Sequence, residues 1–362
     1  MNIVNFHGQK DIAKDFIEFL RGKSASFLLS LSTTKTCEIP NVTQAGIDGK
    51  IHLTPILDAE FLCSGEVRSI GDIAKTAKGV PTPALITRAI HLLKPFNNIE
   101  LLNLGLTNSP KVNFFKIYDF KLKPSERIDL GANIEAETLF EMGVEFGKNY
   151  KTKSDYIILG ESVPSGTTTA YATAKALGYN CDGMFSSSFK AHPKSLKNEV
   201  VNKALSNISP NMDIFAKLSK VSDNMLIFNA GFVIALMQNY KVVLAGGTQM
   251  ASLLLVMNSI IEVMQGEIDG KNLALVTTKW LYEDENSDIK GLLELLNFDV
   301  LAYYSDFDFS DSQSEVLKLY DKGEAKEGVG AGGAIFYGYL NNLTKEQITR
   351  GVEEYVQCNK IP

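Results

Sequence analysis

Tyr156–Tyr171, YIILGESVPSGTTTAY, decides how the chain reads. The apolar run Tyr156–Gly160 has the composition of a buried strand, and a Gly/Pro/Ser turn leads from it into a helix opened by three consecutive threonines. In outline this is a strand–loop–helix anion site. Open amides, hydroxyls and the positive end of the helix dipole converge where a phosphate fits, and parallel sheets bind ligands at the carboxyl ends of their strands. Ser165, Gly166, Thr167, Thr168 and Thr169 are the candidate phosphate ligands, with Glu161 a carboxylate facing the same cleft. An ordinary helix-capping loop fits the segment too. Two familiar motifs fail here. A P-loop needs GxxxxGK[ST], but Gly160 to Gly166 is one residue too long and Thr167 replaces the lysine. A nucleophile elbow needs GxSxG, and Pro164 stands where its second glycine belongs.

Outward from this segment, similar short apolar runs recur at Phe27–Ser32, Ile99–Leu104, Lys241–Ala245, Leu273–Thr277 and Val300–Tyr304. Continuously apolar strands of this length suit a sheet covered on both faces. Helical patterns at Pro83–Leu93, Glu135–Phe146, Thr168–Leu177, Lys194–Leu205, Asp213–Gln238 and Met250–Gln265 lie between or after them. The alternation predicts an α/β fold, a mainly parallel Rossmann-like sheet flanked by helices. Thr33–Glu60 reads as loops or short strands. Residues 8–21, 312–320 and 344–357 read as helices outside the alternating region. They predict a small helical subdomain from both chain ends, 1–24 plus 310–362, beside a large domain spanning 25–309.

With 362 residues, 45% apolar and 22% charged, the chain has the composition of a folded protein larger than one hydrophobic core usually supports. Its net charge of −6 argues against a nucleic-acid partner, which requires a cationic surface. Cys37, Cys63, Cys181 and Cys358 are far apart and form no CxxC pair, so reduced thiols and a cytoplasmic location are expected. The N-terminal segment lacks the apolar core of a signal peptide. The apolar runs 225–237 and 251–264 fall short of the roughly 18–20 residues of a membrane span, so no membrane partner is expected. His7, His52, His91 and His192 never stand at ligand spacing, and no metal is predicted.

Four further segments bear on chemistry. Lys326–Ala334, KEGVGAGGA, contains a formal GxGxxG at Gly328, Gly330 and Gly333, but Leu319–Lys326 is no apolar strand, so the dinucleotide fingerprint lacks its context. What remains is Glu327 beside a backbone that a ligand can approach closely, a general base or a solvated side chain. Ser186–Lys197 gathers Lys190, His192, Lys194 and Lys197 in an acidic chain, which fits either an anionic small ligand or a solvated helix start. In LAGGTQM, Gly246 and Gly247 leave room for a flat ligand, and TTKW places Trp280 as a half-buried anchor at a strand end. The charge run Tyr282–Asp288 reads as a solvated loop.

Taken together, GESVPSGTTTA, LAGGTQM, TTKW and KEGVGAGGA, with LDAEFL at 57–62 and GVPTPALITRA at 79–89, resemble in order the nicotinate-nucleotide:dimethylbenzimidazole phosphoribosyltransferases, in the branch of archaea and cyanobacteria. The likeness runs from about Phe27 to Ala334. It implies transfer of phosphoribose from nicotinate mononucleotide to an aromatic base by a homodimer that uses no cofactor. It also implies Glu327 as the catalytic glutamate, Ser165–Thr169 as the phosphate loop and Lys197 as a lysine at the nucleotide. Pro81, Thr82, Pro83 and Ala325 fall where the family lines its base pocket. Ser165 replaces a more usual glycine, and Ala325 is smaller than the apolar residue of better-studied relatives. A related nucleotide-processing enzyme acting on another base, and a non-catalytic nucleotide-binding regulator, are the competing readings. A dinucleotide-dependent oxidoreductase stands further off.

Overall fold

The structure is a computed structural model that describes residues 2–76, 78–189 and 194–358. The chain begins with strand β1 (Ile3–His7), helix α1 (Lys10–Leu20), strand β2 (Ala25–Leu31), and helices α2 (Thr54–Ser64) and α3 (Ala84–Leu93). Strands β3 (Asn98–Asn103) and β4 (Lys116–Asp119), helix α4 (Ala136–Asn149), strand β5 (Tyr156–Ser162) and helix α5 (Gly166–Ala176) follow. Then come α6 (Lys194–Leu205), α7 (Ile214–Val221), α8 (Asn224–Leu236), β6 (Lys241–Ala245), α9 (Thr248–Val263), β7 (Leu273–Thr278) and the short helices α10 (Lys279–Tyr282) and α11 (Ile289–Leu293). Strand β8 (Leu301–Ser305), a short α12 (Lys318–Asp321), α13 (Ala331–Leu340) and α14 (Lys345–Cys358) complete the described chain.

Among the described residues the strands form one sheet in the order β1-β8-β7-β6-β5-β2-β3-β4, parallel throughout except that β1 pairs antiparallel with β8. The apolar runs are continuous because both faces are covered. Within β5, Ile157 and Leu159 enter the core beneath α4, α5, α8 and α9, while Tyr156 and Ile158 enter the opposite core beneath α1, α2, α3 and α13. From β2 the chain proceeds through β3 and β4 to one edge, and from β5 through β6, β7 and β8 toward the other. The order therefore reverses between β2 and β5, which pair in register from Ala25↔Tyr156 to Leu31↔Ser162. Loops leaving two such strands diverge and open a crevice at their carboxyl ends.

Several expectations are corrected. Residues 3–7, grouped with the helical subdomain, form an edge strand of the sheet, because β8 offers its free ladder to them. Thr33–Glu60 contains no strand but the start of α2, in which every residue from Thr54 to Cys63 is buried. A helix buried all round has no polar face and so no helical periodicity in its sequence. Asp213–Gln238 is two helices, because Asp223 accepts the amide of Leu226 at 3.0 Å and restarts the chain as a new N-cap. The helix read at 312–320 is confined to Lys318–Asp321. No helix among the described residues is long and apolar enough to cross a membrane.

Candidate active site

The crevice between β2 and β5 is a cleft walled by the loops that follow the strands: 43–46 after β2, Val163–Thr167 after β5 and Gly247–Gln249 after β6. Residues 80–83 before α3 and 324–329 before α13 close it. Ser165 introduces α5 in the left-handed region, with φ of 64°, and its hydroxyl is buried with no hydrogen-bond partner. Gly166 follows because a Cβ there would lie 1.8 Å from the side-chain oxygen of Gln249, which also has no partner. An 11-residue and a 16-residue helix, α5 and α9, thus begin beside each other at one end of the cleft.

Glu327 stands on the cleft wall, partly exposed. Its Oε2 accepts the amide of Thr278 at 2.9 Å and the hydroxyl of Thr277 at 3.3 Å, and its Oε1 accepts the amides of Gly328 at 3.1 Å and Gly332 at 3.2 Å. Gly332 must be glycine, since a Cβ would lie 2.3 Å from the backbone carbonyl carbon of Thr277 and 2.6 Å from that carboxylate. Removal from water pushes Glu327 up to about 7, against the pull of those donors. Burial pushes Glu161 further, to about 8, aided by the negative charges of Glu327, Asp223 and Asp58. Asp58, buried on α2, accepts the hydroxyls of Thr82 and Ser162, each at 2.7 Å, and burial raises it to about 6.

A second charged cluster flanks the first. Lys326 donates to Asp284 at 2.7 Å in an ion pair buried on both sides, and Ser186 donates to the same carboxylate at 2.9 Å. Lys197 lies behind this pair, donating to the carbonyl of Ser186 at 2.7 Å. Burial lowers its pKa to about 7, and the charge of Lys326 lowers it further than Asp284 restores it. Lys326 is thus balanced by Asp284, and Lys197, whose burial disfavours its charged form, adds only part of a positive charge at neutral pH. Among the described residues no three His, Cys, Asp or Glu side chains group as a metal site.

A protein of Sulfurisphaera tokodaii named UPF0284 protein is 37% identical over 360 residues, covering 99% of this chain and 98% of that one. The chain belongs to the UPF0284 family. A UPF0284 protein of Saccharolobus solfataricus is 36% identical over 340 residues, covering 93% of each. Among solved structures, the UPF0284 fold matches the nicotinate-nucleotide-dimethylbenzimidazole phosphoribosyltransferase of Thermus thermophilus with a TM-score of 0.61 at 14% identity, over 94% of this chain and 89% of that one. A second structure from the same organism, described as CobT, gives 0.56 at 15% identity. The UPF0284 chain thus has the fold that its ordered motifs resemble. No family model matches it.

The UPF0284 cleft brings Glu161, Ser165, Gly166, Thr167, Gly247, Gly328, Glu327, Pro81, Thr82, Pro83 and Ala325 together. Other expected residues stand away from it. The hydroxyl of Thr169 is committed to Asp223 and to the carbonyl of Gly166, and Thr168 is buried within α5. Gly246 is packed against Met250, 2.8 Å from where a Cβ would lie, whereas Gly247 lines the cleft with Leu281 2.7 Å from its own Cβ position. Gly330 is packed against Phe27. Lys197 lies behind the wall. Lys190 and His192 fall outside the described residues, as does the side chain of Lys194. Trp280 is a buried anchor, donating to Asp321 at 2.8 Å and stacked on Phe309.

Sequence reasoning missed Asp58, Lys326 and Asp284. Asp58 lay inside the quoted LDAEFL, and Lys326 adjoins Glu327. Asp284 was hidden in the run taken as a solvated loop, where it is buried and paired. The signal available for each was its neighbour, since nothing in a single sequence announces that a carboxylate will be buried.

Proposed function

We propose that the chain transfers the 5-phosphoribosyl group of nicotinate mononucleotide to an aromatic nitrogen base, releasing nicotinate and an α-ribotide. The observation that carries the reading is Glu327, a carboxylate on the wall of the switch-point cleft with its pKa raised to about 7. The leaving nicotinate ring is a pyridinium, so the anomeric C–N bond breaks with its electron pair going to the ring nitrogen, and no acid is required. A base nitrogen attacks the opposite face, inverting β to α, and its other ring nitrogen loses a proton to Glu327. The remaining work is positioning. Ser165, Gly166 and Thr167 hold the phosphate at the start of α5, where a bound dianion would favour the charged form of the nearby Lys197. Pro81, Thr82, Pro83 and Ala325 line the slot for the base, beside Gly328. Glu161 is the more deeply buried of the two carboxyls, and burial with the surrounding negative charge favours its protonated form, which leaves Glu327, on the open wall, as the base. The active unit is proposed to be a homodimer.

The test incubates the protein with nicotinate mononucleotide and a panel of benzimidazoles, purines and phenolics, and separates the products by chromatography. An α-ribotide appearing with equimolar nicotinate is the expected result. Absence of both across the panel contradicts the reading.

A further inference from the structure

The base end of the cleft has a polarity that the proposed function does not use. Asp58 reaches it from α2, and its two oxygens are taken by two different elements: Thr82, just before α3, and Ser162, at the end of β5 and next to Glu161. All three residues line the cleft. A hydroxyl has one proton and two lone pairs. With its proton committed to Asp58, Thr82 accepts the amide of Ala84 at 3.2 Å, so its remaining capacity is small. Ser162, its proton likewise committed, is left with lone pairs only. It is 4% exposed, so water does not freely satisfy them. The wall is therefore acceptor-only, and a dimethylated ring edge has nothing to offer it. Ala325 adds no apolar bulk on the neighbouring segment.

We propose that the accepted base presents a hydrogen-bond donor, an exocyclic amine or a ring hydroxyl, to Ser162 Oγ, and that Asp58 fixes this requirement by holding the Ser162 and Thr82 protons. Asp58 is thus a positioning residue that sets specificity through two hydroxyls. The inference rests on the proposed function for the identity of the ligand as a base, and it narrows the class of base. A site built to pair a donor discriminates strongly against a ligand without one, because its buried acceptors are then left unpaired.

The test measures binding of adenine, 5-hydroxybenzimidazole and 5,6-dimethylbenzimidazole by calorimetry, with and without nicotinate mononucleotide, with turnover followed in parallel. The two donor-bearing bases are expected to bind more tightly than the dimethyl compound, and their relative affinities tell amine from hydroxyl. Ser162→Ala removes the acceptor at little cost in volume. It should lower the affinity of the donor-bearing base by about 10- to 100-fold and leave the dimethyl compound unchanged. Asp58→Asn places an amide donor against one of the hydroxyls, frees a proton toward the cleft and should shift the ratio in the same direction. Equal losses for all bases would mark a purely structural role and overturn the inference, as would tighter binding of the dimethyl compound by the unaltered protein. Selective base binding without any ribotide sinks the proposed function alone; ribotide formation with unselective binding sinks the inference alone; no binding of any base sinks both.

Discussion

The backbone amide of Val329 donates to the carbonyl oxygen of Glu161 at 2.9 Å. This bond splices the glycine-rich loop carrying one carboxylate onto the end of the strand carrying the other. Gly160 permits it, since a Cβ there would lie 3.2 Å from the amide nitrogen of Gly330. Glu161 and Glu327 are therefore fixed relative to each other by main chain, and the charge of each raises the cost of ionising its neighbour.

Glu327→Gln keeps the shape of the side chain but cannot accept a proton at neutral pH. Turnover should fall by roughly 10²–10⁴-fold, the usual contribution of a positioned base, while calorimetric affinity for nicotinate mononucleotide changes little if the phosphate sits, as proposed, at the start of α5. Near-normal turnover in this variant would shift the role of base to Glu161.

The acidic limb of the pH profile belongs to the same group. As the proposed base Glu327 must be ionised, and its pKa is raised to about 7, so kcat/KM should climb about tenfold per pH unit below 7 and level off above it. A limb centred near 4.5, the ordinary value for glutamate, would show that the titrating group is not Glu327 in this setting.

A valine at Gly166 would displace the side-chain amide of Gln249, whose oxygen lies 1.8 Å from the Cβ position, and fill the start of α5. Gly166→Val should crowd the start of α5, push the Gln249 amide aside and weaken nicotinate mononucleotide binding by roughly 10²-fold. Circular dichroism should show an intact fold, because the helix itself persists. Unchanged affinity by calorimetry would remove the loop from the phosphate site.

Glu161→Gln tests the electrostatic cost stored in the cleft. A buried carboxyl whose folded pKa is about 8 binds a proton that the unfolded chain, at 4.5, has already released, so stability falls as pH rises from 4.5 through 8. The variant should melt at the same temperature as the parent at pH 4. At pH 9 it should be more stable by roughly 1–3 kcal/mol, read from denaturant titration. A gain that does not depend on pH would point to packing instead.

Exhaustive chelation should leave turnover intact, because the pyridinium leaving group needs no Lewis acid. Loss of activity in EDTA that a particular divalent ion restores would contradict the mechanism.

Elements whose signal is local are legible in the residues alone. Continuous apolar runs marked β2, β3 and β5–β8, and the Gly, Ser and Thr cluster after Tyr156–Gly160 marked the turn that opens α5 into the cleft. Glu327 was legible because the glycines around it are the trace of close backbone approach. The tertiary structure alone decided the rest. β1 is a strand only because β8 lends it a ladder from about three hundred residues away in sequence. α2 left no periodic trace because it is enclosed on every side. The acceptor wall of Asp58, Thr82 and Ser162, and the pairing of Lys326 with Asp284, draw on residues separated by 24, 104 and 42 positions. A carboxylate's burial, its partner and its pKa depend on which distant segments enclose it, so those properties arise only when the sheet closes the cleft around it.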